Sequence, residues 1–196
     1  AVKNAECIYD RFVMQNTEGI PGHPEIELAL LRLYRLTENK HFLELAQKFI
    51  NERGKAPDFW AREAKKRSWS VWNSDPWGND YRQSAKPVRE QTEAVGHAVR
   101  AVYLYTGMAD LAAETEDKEL FAACRRLWEN IVHRKMYITG GIGSTVQGEA
   151  FTVDYDLPPD TAYSETCAAI GLIFFAEKML ENEINGEYGD VMELVF

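Results

Sequence analysis

ALLRLYRLT (29–37) begins with a small residue and continues as an apolar and aromatic stripe at three- and four-residue spacing. AVRAVYLYT (98–106) and AAIGLIFFA (168–176) have the same arrangement, and the three segments begin 69 and 70 residues apart. Apolar residues at this spacing lie on one face of an α-helix. Because a segment that returns at a fixed interval indicates a repeated structural unit, the sequence predicts an array of similar helical units.

A second amphipathic stretch follows each of these segments, and the first pair is separated by the short turn at 38–40. Alternation of β-branched and polar residues, which is typical of strands, is nearly absent. The fold class predicted is therefore all-α, with about three stacked helix hairpins that form part of an (α/α)6 toroid. We expect residues 1–196 to be one partial toroid domain that is truncated at both ends.

The composition limits the partners of the chain. A net charge of −9 and a pI near 5.0 oppose binding to nucleic acid or to an anionic membrane surface. No apolar run reaches the ~18 residues of a membrane span, and no secretory signal precedes the first helix. The three cysteines, at 7, 124 and 167, cannot all pair and show no disulfide pattern, which is typical of a reducing compartment. A cytoplasmic location is therefore expected. An incomplete ring also exposes apolar faces, which would permit a homo-oligomer.

Two long stretches, 54–91 and 137–161, interrupt the helical pattern. The first contains four tryptophans and the second is rich in glycine. Long loops without regular structure in a compact domain are often functional, and aromatic rings are common platforms for sugar faces. We therefore expect the two stretches to be irregular and to contribute to a site, although packing in the core is the commoner use of a single ring.

Glu149 is the candidate catalytic acid of the second stretch. It lies between Gly148 and Phe151, and apolar neighbours of this kind would raise its pKa towards general-acid catalysis. A solvated loop glutamate is the alternative interpretation. The glycines at 140–143 resemble a phosphate-binding loop, but no strand precedes them and no helix follows at once, so that interpretation is disfavoured.

Glu165 and Cys167 are candidate metal ligands. DTAYSE (160–165) predicts the start of a helix, with Asp160 or Thr161 as the N-cap. The two ligands would then lie roughly 200° apart around the helix, and they could share an ion only at a distorted helix start. Carboxylate and thiolate are both zinc ligands, but zinc takes four, and Cys167 could instead be a small buried apolar residue.

His97 opens the second repeat, and His23 stands just before the first. In a toroid the starts of the inner helices face one end of the ring, so both histidines would converge with Cys167. Histidines at matched places in a repeat favour a functional role over a purely structural one. His41 and His133 fall at helix ends that look exposed, and we interpret them as structural.

Several of these segments together resemble glycoside hydrolase family 127, the β-L-arabinofuranosidase type. The combination is far more specific than any single motif, and it covers most of the chain. The segments that carry it are GHPEIELALLRLYRLT (22–37), AVGHAVRAVYLYTG (94–107), MYITGGIGS (136–144), GEAFTVDYDLP (148–158) and DTAYSETCA (160–168).

The resemblance implies a retaining hydrolase that releases terminal L-arabinofuranose from a glycan. It implies a cysteine nucleophile on a zinc ion that is held by one Glu and three Cys. By this resemblance Glu149 is the acid/base, Glu165 and Cys167 are zinc ligands, and His23 and His97 contact the sugar.

The resemblance places the nucleophile and its zinc-binding neighbour beyond residue 196, and neither Cys7 nor Cys124 lies in a matching motif. We therefore expect the chain to be inactive by itself. Two alternatives stay open at this point. A metal-free α/α-toroid enzyme, such as an unsaturated glucuronyl hydrolase or a sugar epimerase, would not need Cys167. A non-catalytic helical module that binds glycans would not need Glu149.

Overall fold

The computed structural model describes residues 1–67 and 78–196, and most of them are helical. The prediction of an all-α fold is confirmed. The helices are α1 (Val2–Tyr9), α2 (Ile26–Thr37), α3 (Lys40–Glu52), α4 (Phe59–Arg67), α5 (Gly78–Tyr81), α6 (Ala98–Thr115), α7 (Lys118–Asn130), α8 (Thr166–Asn182) and α9 (Gly186–Val195). Two short strands, β1 (Gly96–His97) and β2 (Ala150–Phe151), pair antiparallel. Tighter or wider helical turns occupy Asp10–Met14, Val88–Glu90, Ile131–Lys135 and Gln147–Glu149.

Three helix hairpins build the described part of the chain, and they are α2–α3, α6–α7 and α8–α9. Helix α6 packs against both α2 and α8, so these three first helices form one row, while α3, α7 and α9 form a second row behind it. The turn of the first hairpin is fixed by Asn39, whose side chain accepts a hydrogen bond from the backbone N–H of His41 at 3.1 Å. This is the repeated hairpin arrangement that the sequence predicts.

Helix α6 lies at the centre of the core and is buried on nearly every side. Its Tyr105 ring lies 5.8 Å from the ring of Phe175 on α8. Gly171 brings α8 close to α6, because a Cβ at this position would lie 2.3 Å from Cγ2 of Val102. Buried side chains of all three hairpins belong to one continuous apolar cluster. The first helices are therefore held rigidly with respect to one another.

Residues 54–91 are less irregular than expected. They contain helix α4, which buries Phe59, and the short helix α5. Trp60 donates an indole hydrogen bond to Oγ of Ser84 at 3.0 Å, and the Arg82 guanidinium lies 4.9 Å from its ring, so this tryptophan has partners within the protein. The other tryptophans of the stretch, at 69, 72 and 77, lie outside the described residues. Among the residues that are described, no helix combines the length and apolar character needed to span a membrane.

Candidate active site

The two short strands bring the starts of distant segments together. Gly96 pairs with Phe151, and His97 pairs with Ala150. Glu149 directly precedes β2, so the pairing places it beside His97, the last residue of β1 and the N-cap of α6. The contact between His97 and Glu149, which are 52 positions apart in sequence, is thus set by a pair of strands of two residues each.

Both oxygens of the Glu149 carboxylate accept a hydrogen bond. Nδ1 of His97 accepts the backbone N–H of Arg100 at 3.2 Å, so the proton of the neutral imidazole is on Nε2. That Nε2–H donates to Oε2 of Glu149 at 3.0 Å. The hydroxyl of Tyr163 donates to Oε1 at 2.6 Å. The carboxylate is therefore held in one orientation by donors from α6 and from the segment before α8.

The backbone at Glu149 is in the left-handed region, with φ of 52°, and it follows Gly148 at 71°. A residue with a side chain adopts this conformation at a cost, so the surrounding contacts must hold it there. The turn aims the Glu149 side chain towards His97 while leaving 43% of it exposed. A carboxylate that is oriented by protein and also open to solvent can reach a bound ligand.

The pKa of Glu149 is lowered, so the expectation that apolar neighbours raise it was wrong. The hydrogen bond from Tyr163 is the main cause, and the bond from His97 adds to it, so together they outweigh the effect of burial. The same interaction raises the pKa of Tyr163 to about 12. Glu165 is the carboxyl group with a raised pKa here, because it is partly buried and feels the charge of Glu149.

Aromatic and imidazole rings surround His97. The His23 ring lies 5.9 Å from it and 6.1 Å from the ring of Tyr103, while the Tyr81 ring approaches His97 to 5.4 Å. The Arg100 guanidinium lies 4.5 Å above the Tyr81 ring. Burial lowers the pKa of both histidines, which favours neutral imidazoles that can donate and accept hydrogen bonds. The two histidines therefore converge, as the repeat predicts.

Sequence reasoning missed the three tyrosines of the site. Tyr163 stands two residues before Glu165 in a motif that attracted attention only for its acidic and thiol groups. Tyr103 belongs to the apolar stripe of the second repeat, where an aromatic residue normally indicates core packing. Tyr81 lies in the tryptophan-rich stretch. The available signal for Tyr103 was its phenolic hydroxyl, on a ring six residues after His97 in an otherwise apolar stripe.

Helix α8 begins at Thr166, later than predicted, and neither Asp160 nor Thr161 is its N-cap. The segment before it pairs with the glycine-rich loop instead of continuing the helix. The backbone N–H of Ser164 donates to the carbonyl of Gly143 at 2.9 Å, and Ser164 has φ of 42°, which no helix accommodates. The helix can therefore start only after this residue.

The late start of α8 changes the geometry expected for the metal ligands. Glu165 is the N-cap residue, with an extended backbone at φ of −69° and ψ of 150°, and Cys167 is exposed in the first turn. The 200° separation of a regular helix thus does not apply to them. The backbone is extended at Glu165 and becomes helical from Thr166 onward.

A different group of side chains also has metal-ligand character. Glu129, His133 and Glu187 offer three ligand atoms that all lie within 4.8 Å of one another, and among residues 1–67 and 78–196 it is the one group of three that meets this distance. Glu129 lies near the end of α7, His133 in the wide turn that follows it, and Glu187 in the first turn of α9. Glu129 and His133 are exposed, and Glu187 is partly buried. The group does not include Glu165 or Cys167.

A row of helix hairpins with two histidines, tyrosines and an oriented glutamate gathered at one end is the architecture of the α/α-toroid class. The profile of the β-L-arabinofuranosidase GH127 catalytic domain matches residues 1–196 of this chain. The chain belongs to glycoside hydrolase family 127.

Its relatives have longer chains. It is 46% identical over 202 aligned residues to the non-reducing end β-L-arabinofuranosidase of Bifidobacterium longum subsp. longum, covering 98% of this chain and 30% of the relative. A crystal structure of a GH127 β-L-arabinofuranosidase from Geobacillus stearothermophilus T6 superposes with a TM-score of 0.92 at 49% identity, covering 99% of this chain and 31% of the other. A GH127 β-arabinofuranosidase structure matches with a TM-score of 0.84 at 41% identity, covering 99% and 28%. The chain thus spans about a third of the length of these relatives.

Proposed function

We propose that the full-length protein containing this chain hydrolyses terminal β-L-arabinofuranosides of glycans, with Glu149 as the acid/base. The observation that carries the proposal is the Glu149 carboxylate, oriented by Tyr163 and His97 and still partly open to solvent. Family membership and the activities named for the relatives support the choice of sugar.

In this mechanism Glu149 has two tasks. Its protonated form donates a proton to the leaving oxygen, and the resulting carboxylate then takes a proton from the attacking water. Tyr163 and His97 stabilise the carboxylate form, which favours the second task. Both ring nitrogens of His97 are used, by Arg100 and by Glu149. His23, whose ring lies 5.9 Å from that of His97, pairs only Nδ1 within the described part of the chain, with the backbone carbonyl of the next residue, and keeps Nε2 for a hydroxyl group of a sugar.

We also propose that Glu165 and Cys167 are zinc ligands. A carboxylate and a thiolate are suitable donors, and the raised pKa of Glu165 describes a carboxyl group that a nearby cation would stabilise. Zinc, when bound, keeps cysteine ligands deprotonated near neutral pH. Because a structural or catalytic zinc site takes three or four protein ligands, further ligands would come from outside this chain.

Zinc content and hydrolysis of p-nitrophenyl β-L-arabinofuranoside test the proposal in the full-length protein. We expect about one bound zinc and measurable turnover, with both lost in Cys167→Ser. Cys7→Ser is the matched control, since Cys7 is also exposed but lies on α1. Full activity of the metal-free protein, or of Cys167→Ser, would instead favour a metal-free toroid hydrolase.

Tyr163→Phe should change the pH dependence of the reaction. Loss of the Tyr163 hydrogen bond removes the main cause of the lowered pKa of Glu149, so that pKa rises. The first step needs protonated Glu149, and a higher pKa keeps it protonated to higher pH. The basic limb of the kcat/KM profile should therefore move to higher pH. Tyr137→Phe, which loses only a bond to the carbonyl of Pro158, should leave the limb in place.

A further inference from the structure

Lys135 is a buried cation in the same region of the fold. Its side chain is only 3% exposed, at the end of the wide helical turn that follows α7. The ammonium donates to Oε1 of Glu93 at 2.7 Å, to the carbonyl of Ala94 at 2.9 Å and to the carbonyl of Thr152 at 2.9 Å. All three donors of the ammonium are thus used. A buried lysine with three good acceptors fixes the positions of all of them.

The acceptors belong to the two segments that carry the site. Ala94 lies three residues before His97, and Thr152 lies three residues after Glu149. The ammonium therefore joins the chain that enters β1 to the chain that leaves β2. The strand pairing itself consists of two residues on each side, and so short a pairing is weak without support. Lys135 supplies a connection between the two segments that the strands alone do not provide.

Neighbouring contacts of the same turn strengthen this connection. Asn130 accepts the backbone N–H of Ala94 at 2.8 Å and donates to Asp154 at 2.9 Å. Arg134 donates to the other carboxylate oxygen of Asp154 at 2.9 Å, and its carbonyl accepts the N–H of Tyr155 at 2.8 Å. The segment from 130 to 135 thus binds both sides of the strand pair, and Lys135 is its most buried charged member.

We propose that Lys135 is a positioning residue, which holds Glu149 within hydrogen-bond distance of His97 without touching the sugar. The proposal rests on the proposed function of Glu149. A displacement of about 1 Å at a reacting group can reduce the rate on the order of 100-fold. Lys135→Met keeps the length of the side chain and removes the donors, so it should release the loop that carries Glu149.

The first test is the kinetics of the full-length protein. Lys135→Met should lower kcat about 10- to 100-fold with little change in KM, and Lys135→Arg, which keeps a charged donor, should recover part of the loss. Lys178→Met is the matched control, because Lys178 is also buried and paired, with Glu181 at 2.5 Å and Asp110 at 3.5 Å, but lies on α8. It should lose stability and keep its kcat. Equal loss of kcat in both variants, at a temperature where both are folded, overturns the proposal.

A double-mutant cycle tests whether Lys135 acts through Glu149. In a Glu149→Gln background, Lys135→Met should cause little further loss of kcat, because the group it positions is already gone. If the two substitutions lower kcat by factors that multiply in the double variant, Lys135 does not act through Glu149 and the proposal is wrong.

A third readout needs no substrate and separates this proposal from the proposed function. Burial lowers the pKa of His97, and the hydrogen bond to Glu149 and its charge oppose that shift, so Glu149→Gln should lower the pKa further in a histidine NMR titration. In Lys135→Met the same substitution should have a much smaller effect, because the two side chains are no longer held together. An undiminished effect overturns the positioning role. If Glu149→Gln alone leaves turnover unchanged, the proposed function fails, and this titration still decides the role of Lys135.

Discussion

Glu149→Gln should lower kcat of the full-length protein about 10²- to 10⁴-fold, the usual contribution of a positioned acid/base. Glutamine keeps the shape of the side chain and can still accept the Tyr163 hydrogen bond, but it neither donates a proton to the leaving oxygen nor removes one from water. The loss should be greatest for substrates with poor leaving groups. For p-nitrophenolate, which leaves readily, the first step needs less protonation.

Glu44→Gln is the control for this substitution. Glu44 also accepts a tyrosine hydroxyl, from Tyr9 at 2.7 Å, but it lies on α3 away from His97. It should therefore keep wild-type kcat. Steady-state kinetics with an aryl and an alkyl β-L-arabinofuranoside give the comparison. A Glu149→Gln protein with wild-type turnover on both substrates would remove Glu149 from the mechanism.

Arg53→Met should lower the free energy of unfolding by about 3–5 kcal/mol, the usual cost of breaking a buried ion pair. Arg53 is fully buried and lies 3.6 Å from the equally buried Glu27. Its guanidinium also donates to the carbonyls of Pro21 and Arg82. The substitution leaves a buried carboxyl group without its opposite charge and two carbonyls without their donor. Burial raises the pKa of Glu27 even beside Arg53, so without its partner this group is still less able to carry charge.

Arg62→Met is the contrasting variant. Arg62 donates to both oxygens of Glu18 at 2.6 and 2.7 Å and also pairs with Asp58 at 2.8 Å, but its side chain is 41% exposed. Ion pairs in solvent contribute about 0–1 kcal/mol. Urea unfolding of both variants should therefore show a small loss for Arg62→Met and a large one for Arg53→Met. Similar losses in the free energy of unfolding would mean that burial does not make the Arg53–Glu27 pair more important for stability than an exposed pair.

The helix hairpins could be predicted because their signal is local. Apolar spacing within each segment, and its return along the chain, sufficed for α2, α6 and α8. Helix α4 was missed because its nine residues bury only Phe59 and are otherwise mostly charged, so they have no apolar period to detect.

The sequence pointed to His23, His97 and Glu149, but not to the tyrosines around them or to the pKa of Glu149. The repeat placed His23 and His97 together, because matched positions of stacked hairpins share one end. The pKa of Glu149 depends on neighbours in space, and its partners His97 and Tyr163 are 52 and 14 residues away in sequence. Phe151, its neighbour in sequence, turns away into the core. No local pattern contains that information.

The left-handed backbone at Glu149 has an evolutionary consequence. Selection for stability alone would favour glycine at this position, because glycine adopts φ of 52° without the penalty of a side chain. Under the proposed function, glutamate at position 149 gives up some stability in return for turnover. A related sequence with glycine here would then be expected to keep the fold and to lack the acid/base.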